Sequence, residues 1–197
     1  VPSYHHGNLR EAALEAAAEL IETQGEAKVS LRTIAEQVGV THRALYRHFP
    51  DRAALLAEVA CGALETLHAE MQAVIRHADP EPETRMVAVI ESYIDFALKR
   101  PATYRHAFTA GFAKRSAHPG LAKVARALGR SFGALVEALP PPDARQPRPK
   151  EDAIALWALL HGMIDLYWGG SLRASSPTAA RRYMVAQVSR QLGLQTA

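Results

Sequence analysis

The 197-residue sequence predicts an all-α fold of about nine helices. Three observations carry that prediction. Apolar residues recur at intervals of three and four along nine successive segments. No stretch alternates apolar and polar residues with the β-branched enrichment of a strand. Between the segments stand Ser, Thr, Asn, Asp, Gly and Pro, the residues that start and stop helices.

In order, Asn8 precedes a run carrying Leu9, Ala13, Ala16, Ala17, Leu20 and Ile21, and Glu11 completes a capping-box pattern. The first helix should reach about Gln24 and stop at Gly25. Ser30 caps a short second helix with the stripe Leu31, Ile34, Ala35 and Val38, and Gly39 supplies the left-handed turn that ends it. Thr41 caps the third, in which Ala44, Leu45 and Phe49 face inward while His42, Arg43, Tyr46, Arg47 and His48 stay outside. Pro50 stops that helix. Asp51 caps a long fourth one with the stripe Leu55, Leu56, Val59, Ala63, Leu64, Leu67, Met71, Val74 and Ile75. At 1.5 Å per residue it spans about 35 to 40 Å. Five further helical patterns follow at about 83–99, 102–114, 120–139, 150–172 and 178–192. Five of the twelve prolines fall within 140–149, which reads as a stiff linker. The expected organisation is a helix-turn-helix domain over 1–50 and a larger helical domain over 51–197.

Composition narrows the class. Apolar residues make up 48% and charged residues 22%, an ordinary globular balance that excludes disorder and collagen-like repeats. The longest apolar stretch, 154–164, is interrupted by His161 and falls short of the ~20 residues that a membrane helix needs. Cys61, the only cysteine, cannot form an internal disulfide, and no charged-then-apolar leader opens the sequence, so a cytoplasmic location is expected. A start at Val1 rather than methionine leads to the expectation of a native extension before it.

The formal net charge is +3, and its distribution says more than its size. Between Lys28 and Arg52 stand five basic residues, Lys28, Arg32, Arg43, Arg47 and Arg52, against the two acids Glu36 and Asp51. That segment holds the whole excess, because acids and bases balance in the rest of the chain. A local basic surface of this kind suits phosphate contact.

The residues from Ser30 to Phe49 form a helix, a glycine turn and a second helix, the helix-turn-helix unit whose second helix can enter a major groove. Its detail is Ser30-Leu31-Arg32-Thr33-Ile34-Ala35, then Val38-Gly39-Val40-Thr41, then Leu45-Tyr46-Arg47-His48-Phe49-Pro50-Asp51-Arg52, ending in Leu55-Leu56. This pattern resembles the TetR family of bacterial transcriptional regulators, most strongly over residues 8–56. The opening Tyr4-His5-His6-Gly7-Asn8-Leu9-Arg10, with Trp157, His161 and Gly162 downstream, is similar to the subgroup that carries a C-terminal Trp-His-Gly motif. Arg52 stands where many relatives carry lysine. The resemblance implies three helices in a DNA-binding domain and six in a ligand-binding and dimerisation domain.

By matching positions, the resemblance implies that Thr33, Thr41, Tyr46, His48 and Arg52 contact phosphates, while His42 and Arg43 meet base edges. Arg47 stays open between base contact and solvation, and Arg32 joins the candidates on the basic segment. A guanidinium such as that of Arg43 can bond guanine bidentately, worth ~1 to 3 kcal/mol of discrimination.

Ten of the thirteen aromatic residues lie beyond residue 90. Tyr93 and Phe96, then Tyr104, Phe108 and Phe112, recur at helical spacing, so each group either packs a core or lines an apolar cavity. His161 sits one turn after Trp157 inside an apolar run and needs a partner there. It is either a satisfied core histidine or a ligand-orienting one. Tyr93, Phe96, Tyr104, Phe108, Phe112, Trp157 and His161 are therefore the candidate ligand-binding residues. The helix around His161 is apolar nearly all round, which implies burial against a second surface, and the last helix, with Tyr183, Met184, Val188 and Leu192, would join it in a homodimer interface.

The expected function is a ligand-responsive repressor that binds a palindromic operator as a homodimer and is released by a small, mostly apolar effector. Enzymatic activity, a cofactor and a metal site are not expected. No Gly-x-Ser-x-Gly, phosphate loop or His-Glu-x-x-His is present, and His5 and His6 stand near a terminus as a solvated pair or a DNA-proximal arm. The alternative is a helical protein-interaction adaptor without sequence-specific DNA binding.

Overall fold

The computed structural model describes residues 9–110, 118–141 and 151–194. The expectations for residues 4–8, including the Asn8 cap and the histidine pair, lie outside the described residues. So do Phe112, the helix as far as Lys114, and the linker from residue 142 onward. Among the described residues there are nine α-helices and no strand. They are α1 (Leu9–Gln24), α2 (Leu31–Gln37), α3 (His42–Tyr46), α4 (Arg52–His77), α5 (Pro82–Lys99), α6 (Pro101–Arg105), α7 (Pro119–Ala138), α8 (Glu151–Trp168) and α9 (Pro177–Leu192).

The chain divides into two compact units, Val1–Glu65 with Arg100–Ala125 and Thr66–Lys99 with Arg126–Ala197. In the first, the apolar faces of α1, α2 and α3 close on one another around Ala13, Ala17, Ile21, Ile34, Leu45 and Phe49. Leu55, Leu56 and Val59 of α4 complete that core. Asp51 Oδ1 accepts from the Ala54 N–H at 2.7 Å and so caps α4 as its position predicts. Gly25, at φ 88°, ends α1 in a conformation that side-chain-bearing residues rarely adopt. A single 3₁₀ turn, Glu26–Lys28, then leads into α2, an element that has no periodicity to announce it.

In the second unit α9 packs on α5 and α8, and α5 packs on α8. Their shared interior includes Met86, Ile90, Phe96, Leu160, Ile164 and Met184. Arg181 of α9 donates to Asp95 Oδ1 of α5 at 2.6 Å and also reaches Glu91, which holds its guanidinium firmly in the charged form. His68 and Gln72 of α4 meet Ser131 of α7, each at 3.0 Å, in a part-buried polar cluster.

Besides α3, which ends early at Tyr46, two helices differ from the sequence expectation. The pattern predicted for 102–114 begins as α6 but widens at once into a π-helical turn, His106–Ala110. His106, Ala107 and Phe108, the first three residues of the wider turn, are all buried. The helix predicted to reach Leu172 ends at Trp168. Gly170 takes a left-handed φ of 75°, and the N–H groups of Ser171 and Leu172 both donate to the Leu166 carbonyl.

Candidate nucleic-acid interface

The helix-turn-helix is assembled by local bonds that its residue types dictate. Ser30 Oγ accepts from the Thr33 N–H at 3.0 Å and lies 2.7 Å from Thr33 Oγ1, so the cap and the candidate phosphate contact share one hydroxyl pair. Gly39, at φ 72°, reverses the chain, and the Val40 N–H donates to the Ala35 carbonyl at 2.9 Å. Thr41 holds the N-cap position of α3 in an extended conformation, but its side chain makes no capping hydrogen bond, a difference from the predicted cap. The regular helix is shorter than expected. It ends at Tyr46, and Arg47 and His48 occupy a turn closed by the Phe49 N–H donating to the Leu45 carbonyl.

Leu45 and Phe49 are fully buried, and Ala44 is half-buried. Thr41, His42, Arg43, Tyr46, Arg47 and His48 are exposed. The rings of His42 and Tyr46 meet edge to face at 4.7 Å, so the two candidates are arranged as one unit. Arg43 and Arg47 make no hydrogen bond or ion pair among the described residues. On α2, Arg32 pairs with Glu36 at 3.0 Å on an open surface, a contact that water screens and a phosphate could replace.

Arg52 is placed differently from the other candidates. Its Nε donates to the Val29 carbonyl and its Nη2 to the Glu26 carbonyl, both at 2.8 Å, and Glu26 Oε1 lies 3.6 Å away. The guanidinium therefore braces the 3₁₀ turn before α2. Sequence reasoning also missed Arg10, which pairs with Glu58 and lies over the Phe49 ring at 5.9 Å from its centroid. Nor did it single out Glu22 or His106. Glu22 accepts from the N–H groups of Ala102 and Thr103 and from the Thr103 hydroxyl, while His106 sits between Glu26 and the Leu56 carbonyl. Those partners are fifty or more residues apart in sequence, beyond the reach of any local pattern.

The candidate ligand residues are divided between the units. Tyr93, Phe96, Trp157 and His161 belong to the second, where the Tyr93 hydroxyl lies 2.8 Å from His161 Nδ1 and the Trp157 and His161 rings are 4.5 Å apart. Burial lowers the His161 pKa to about 4, so the ring is neutral near pH 7. Tyr104 and Phe108 belong to the first unit, with ring centroids 4.7 Å apart. An open groove of about 640 Å³ between α7 and α8 is lined by Arg126, Arg130 and Ile154 among others and contains none of the candidates. Burial, reinforced by Glu65, pushes the Cys61 thiol up to about 11, which keeps it protonated and a poor nucleophile. Among the described residues no group of three or more His, Cys, Asp or Glu is placed to hold a metal ion, and no helix is long and apolar enough to cross a membrane.

An all-α chain with a solvent-facing basic helix-turn-helix has the architecture of a DNA-binding regulatory protein. Residues 13–59 match the model of bacterial regulatory proteins of the tetR family, and residues 86–188 match that of the tetracyclin repressor-like C-terminal domain. The chain belongs to the TetR family. Among solved structures, a Rhodococcus protein of unknown function shares 25% identity and superposes with a TM-score of 0.79 over 100% of both chains. A TetR-family transcriptional regulator from Bordetella parapertussis, 21% identical, superposes at 0.67 over 98% of this chain and 100% of that one, a likeness of fold. Curated relatives include nucleoid occlusion factor SlmA from Alteromonas mediterranea, 30% identical over 105 residues, and from Photobacterium profundum, 35% over 102 residues. The chain spans about half the length of these relatives, 53% and 50%.

Proposed function

We propose that the protein is a ligand-responsive transcriptional repressor that binds a palindromic operator as a homodimer and is released by a small, mostly apolar effector. The observation that carries this reading is the outer face of α3, where His42, Arg43, Tyr46, Arg47 and His48 are exposed together while Leu45 and Phe49 anchor the helix from behind. Arg43 and Arg47 keep all their donors available for base edges or phosphates. Thr33, Thr41, Tyr46, His48 and Arg52 then hold the backbone, Arg52 with the donors that it does not give to Val29 and Glu26.

A dimer is supported by Ile154, Leu166 and Tyr183, large apolar residues left 67%, 52% and 49% exposed on α8 and α9. Two copies would place their α3 helices about one helical turn of DNA apart, ~34 Å. The effector would occupy the second unit beside Tyr93, Phe96, Trp157 and His161, where a neutral imidazole and a phenol offer hydrogen bonds to an otherwise apolar molecule. Helix α4 is continuous from Arg52 to His77, so a tilt transmitted along it would change the spacing of the two α3 helices. We assign residues 1–50 to DNA and residues 51–197 to effector and dimer.

The name of the curated relatives favours a second reading, a DNA-bound factor in nucleoid occlusion. One experiment tests both. Selection from a random DNA library, followed by titration of the winner at two salt concentrations, should yield a palindrome bound with a steep salt slope. Enrichment of no sequence would overturn both and leave the adaptor. With the palindrome in hand, sites confined to a few promoters support the repressor, and sites scattered along the chromosome support nucleoid occlusion.

A further inference from the structure

His106 is only 3% exposed, yet both of its ring nitrogens face oxygen. Nε2 lies 2.8 Å from the Leu56 carbonyl of α4, and Nδ1 lies 3.0 Å from Glu26 Oε2 at the turn before α2. A carbonyl only accepts, so Nε2 carries a hydrogen. The contact with Glu26 then needs a second hydrogen. Either Nδ1 donates it, which makes the ring an imidazolium, or the carboxylic acid donates it to the ring. In both forms the pair holds one proton more than a neutral imidazole beside an ionised carboxylate. Without that proton a nitrogen lone pair would face a carboxylate oxygen at 3.0 Å, a repulsive contact between a buried ring and a partly exposed carboxylate.

The surroundings are specific. Arg52 Nη2 lies 3.6 Å from Glu26 Oε1, the carboxylate oxygen that does not face the ring. Among the described residues, Glu26 is the titratable side chain that His106 meets by hydrogen bond or ion pair. Beyond that pair, Glu22 of α1 holds the Ala102 and Thr103 N–H groups, and Glu58 of α4 is paired with Arg10. The π-helical turn starts at His106 itself, so the residue marks the place where α6 departs from regular geometry.

We propose that His106 and Glu26 form a proton-operated latch that fastens residues 101–110 to the turn before α2 and to α4, making operator affinity depend on a proton held away from the DNA-facing surface. The dependence of operator affinity rests on the proposed DNA-binding function, whereas the latch itself does not. Loss of the proton as pH rises removes one of the two hydrogen bonds that hold His106 and loosens the segment.

The test uses the full chain and the variant Glu26→Gln. The amide N–H can donate to a neutral His106 ring, and the amide oxygen can still face Arg52, so both contacts survive without the extra proton. In the wild type, imidazole ¹⁵N spectra should show the proton on the pair at low pH, and its loss should raise amide exchange over residues 101–108 by tenfold or more. In Glu26→Gln the ring should be neutral throughout and exchange in that segment flat with pH. At constant ionic strength, wild-type operator affinity should fall by up to about tenfold per pH unit where the proton leaves. The variant should lack that component of the dependence. The latch is overturned by a neutral ring beside an ionised Glu26 in a protected segment, by matching pH profiles in the two proteins, or by lost protection in the variant at every pH. If neither protein binds any DNA sequence, the function is overturned, while the spectra and exchange still decide the latch.

Discussion

Arg43 and Tyr46 stand three residues apart on α3, and the proposed division of labour gives them opposite signatures. Arg43→Ala should relax base preference at one operator position, with a loss of ~1 to 3 kcal/mol for the preferred base. Tyr46→Phe should weaken binding to all sequences alike, because only a phosphate-facing hydroxyl is removed. A repeated library selection with each variant checks both, and an unchanged preferred sequence for Arg43→Ala would rule out its base-reading role. His161 carries a prediction of another kind. Burial lowers its pKa from the ordinary 6.5 to about 4, so the unfolded chain takes up a proton at pH 5 and the native ring does not. Stability therefore falls as pH drops from about 6.5 towards 4, by roughly 2 to 3 kcal/mol from this group. Urea midpoints across that range should fall for the wild type, and His161→Gln should lack this component of the slope. The need of His161 for a partner was legible from its apolar neighbours, but Tyr93, 68 residues away, was not identifiable as that partner.

At the scale of elements, the helix-turn-helix was the most legible part, because its signals act over three or four residues. Ser30 to the Thr33 N–H, Asp51 to the Ala54 N–H and the positive φ of Gly39 are all local bonds or local sterics. The same locality sets the expected energies. Ser30→Ala should cost ~1 kcal/mol through loss of the cap. Gly39→Ala should cost ~1 to 2 kcal/mol through backbone strain alone, because a Cβ there meets nothing within 4 Å. Thermal unfolding of the two variants measures both, and a neutral Gly39→Ala would show that the turn relaxes. Elements set by distant contacts were not legible. Arg52 bonds to the 3₁₀ turn Glu26–Lys28, and the π-helical turn begins at His106, whose ring meets Glu26 and the Leu56 carbonyl, so no periodicity within either segment marks them.

For the whole molecule, the exposed apolar side chains of α8 and α9 lead to the prediction of strongest consequence. Ile154→Asp combined with Leu166→Asp should convert a dimer into a monomer in sedimentation equilibrium. Operator affinity should drop by tenfold or more, because a monomer reads one half-site. The helical content should stay at the wild-type level, because both side chains are more than half exposed. A dimer that survives both substitutions would place the interface elsewhere. The all-α class and most helix starts were readable from periodicity and capping residues, whereas the ends of α3, α6 and α8 were not. The division of the aromatic residues was not, because equal helical spacing places Tyr93 and Phe96 in one unit and Tyr104 and Phe108 in the other.

The shortness of α3 carries a last consequence. A five-residue helix cannot hold itself together in water, so its shape comes entirely from Leu45 and Phe49 lodged in the core of the first unit. The five outward positions, 42, 43, 46, 47 and 48, carry almost none of that burden. On the proposed reading, mutation can rewrite which operator is recognised without eroding the fold. Descendants of one ancestral gene could then drift to new promoters by surface changes alone, and an engineer could graft another relative's five residues onto this chain and expect the graft to fold.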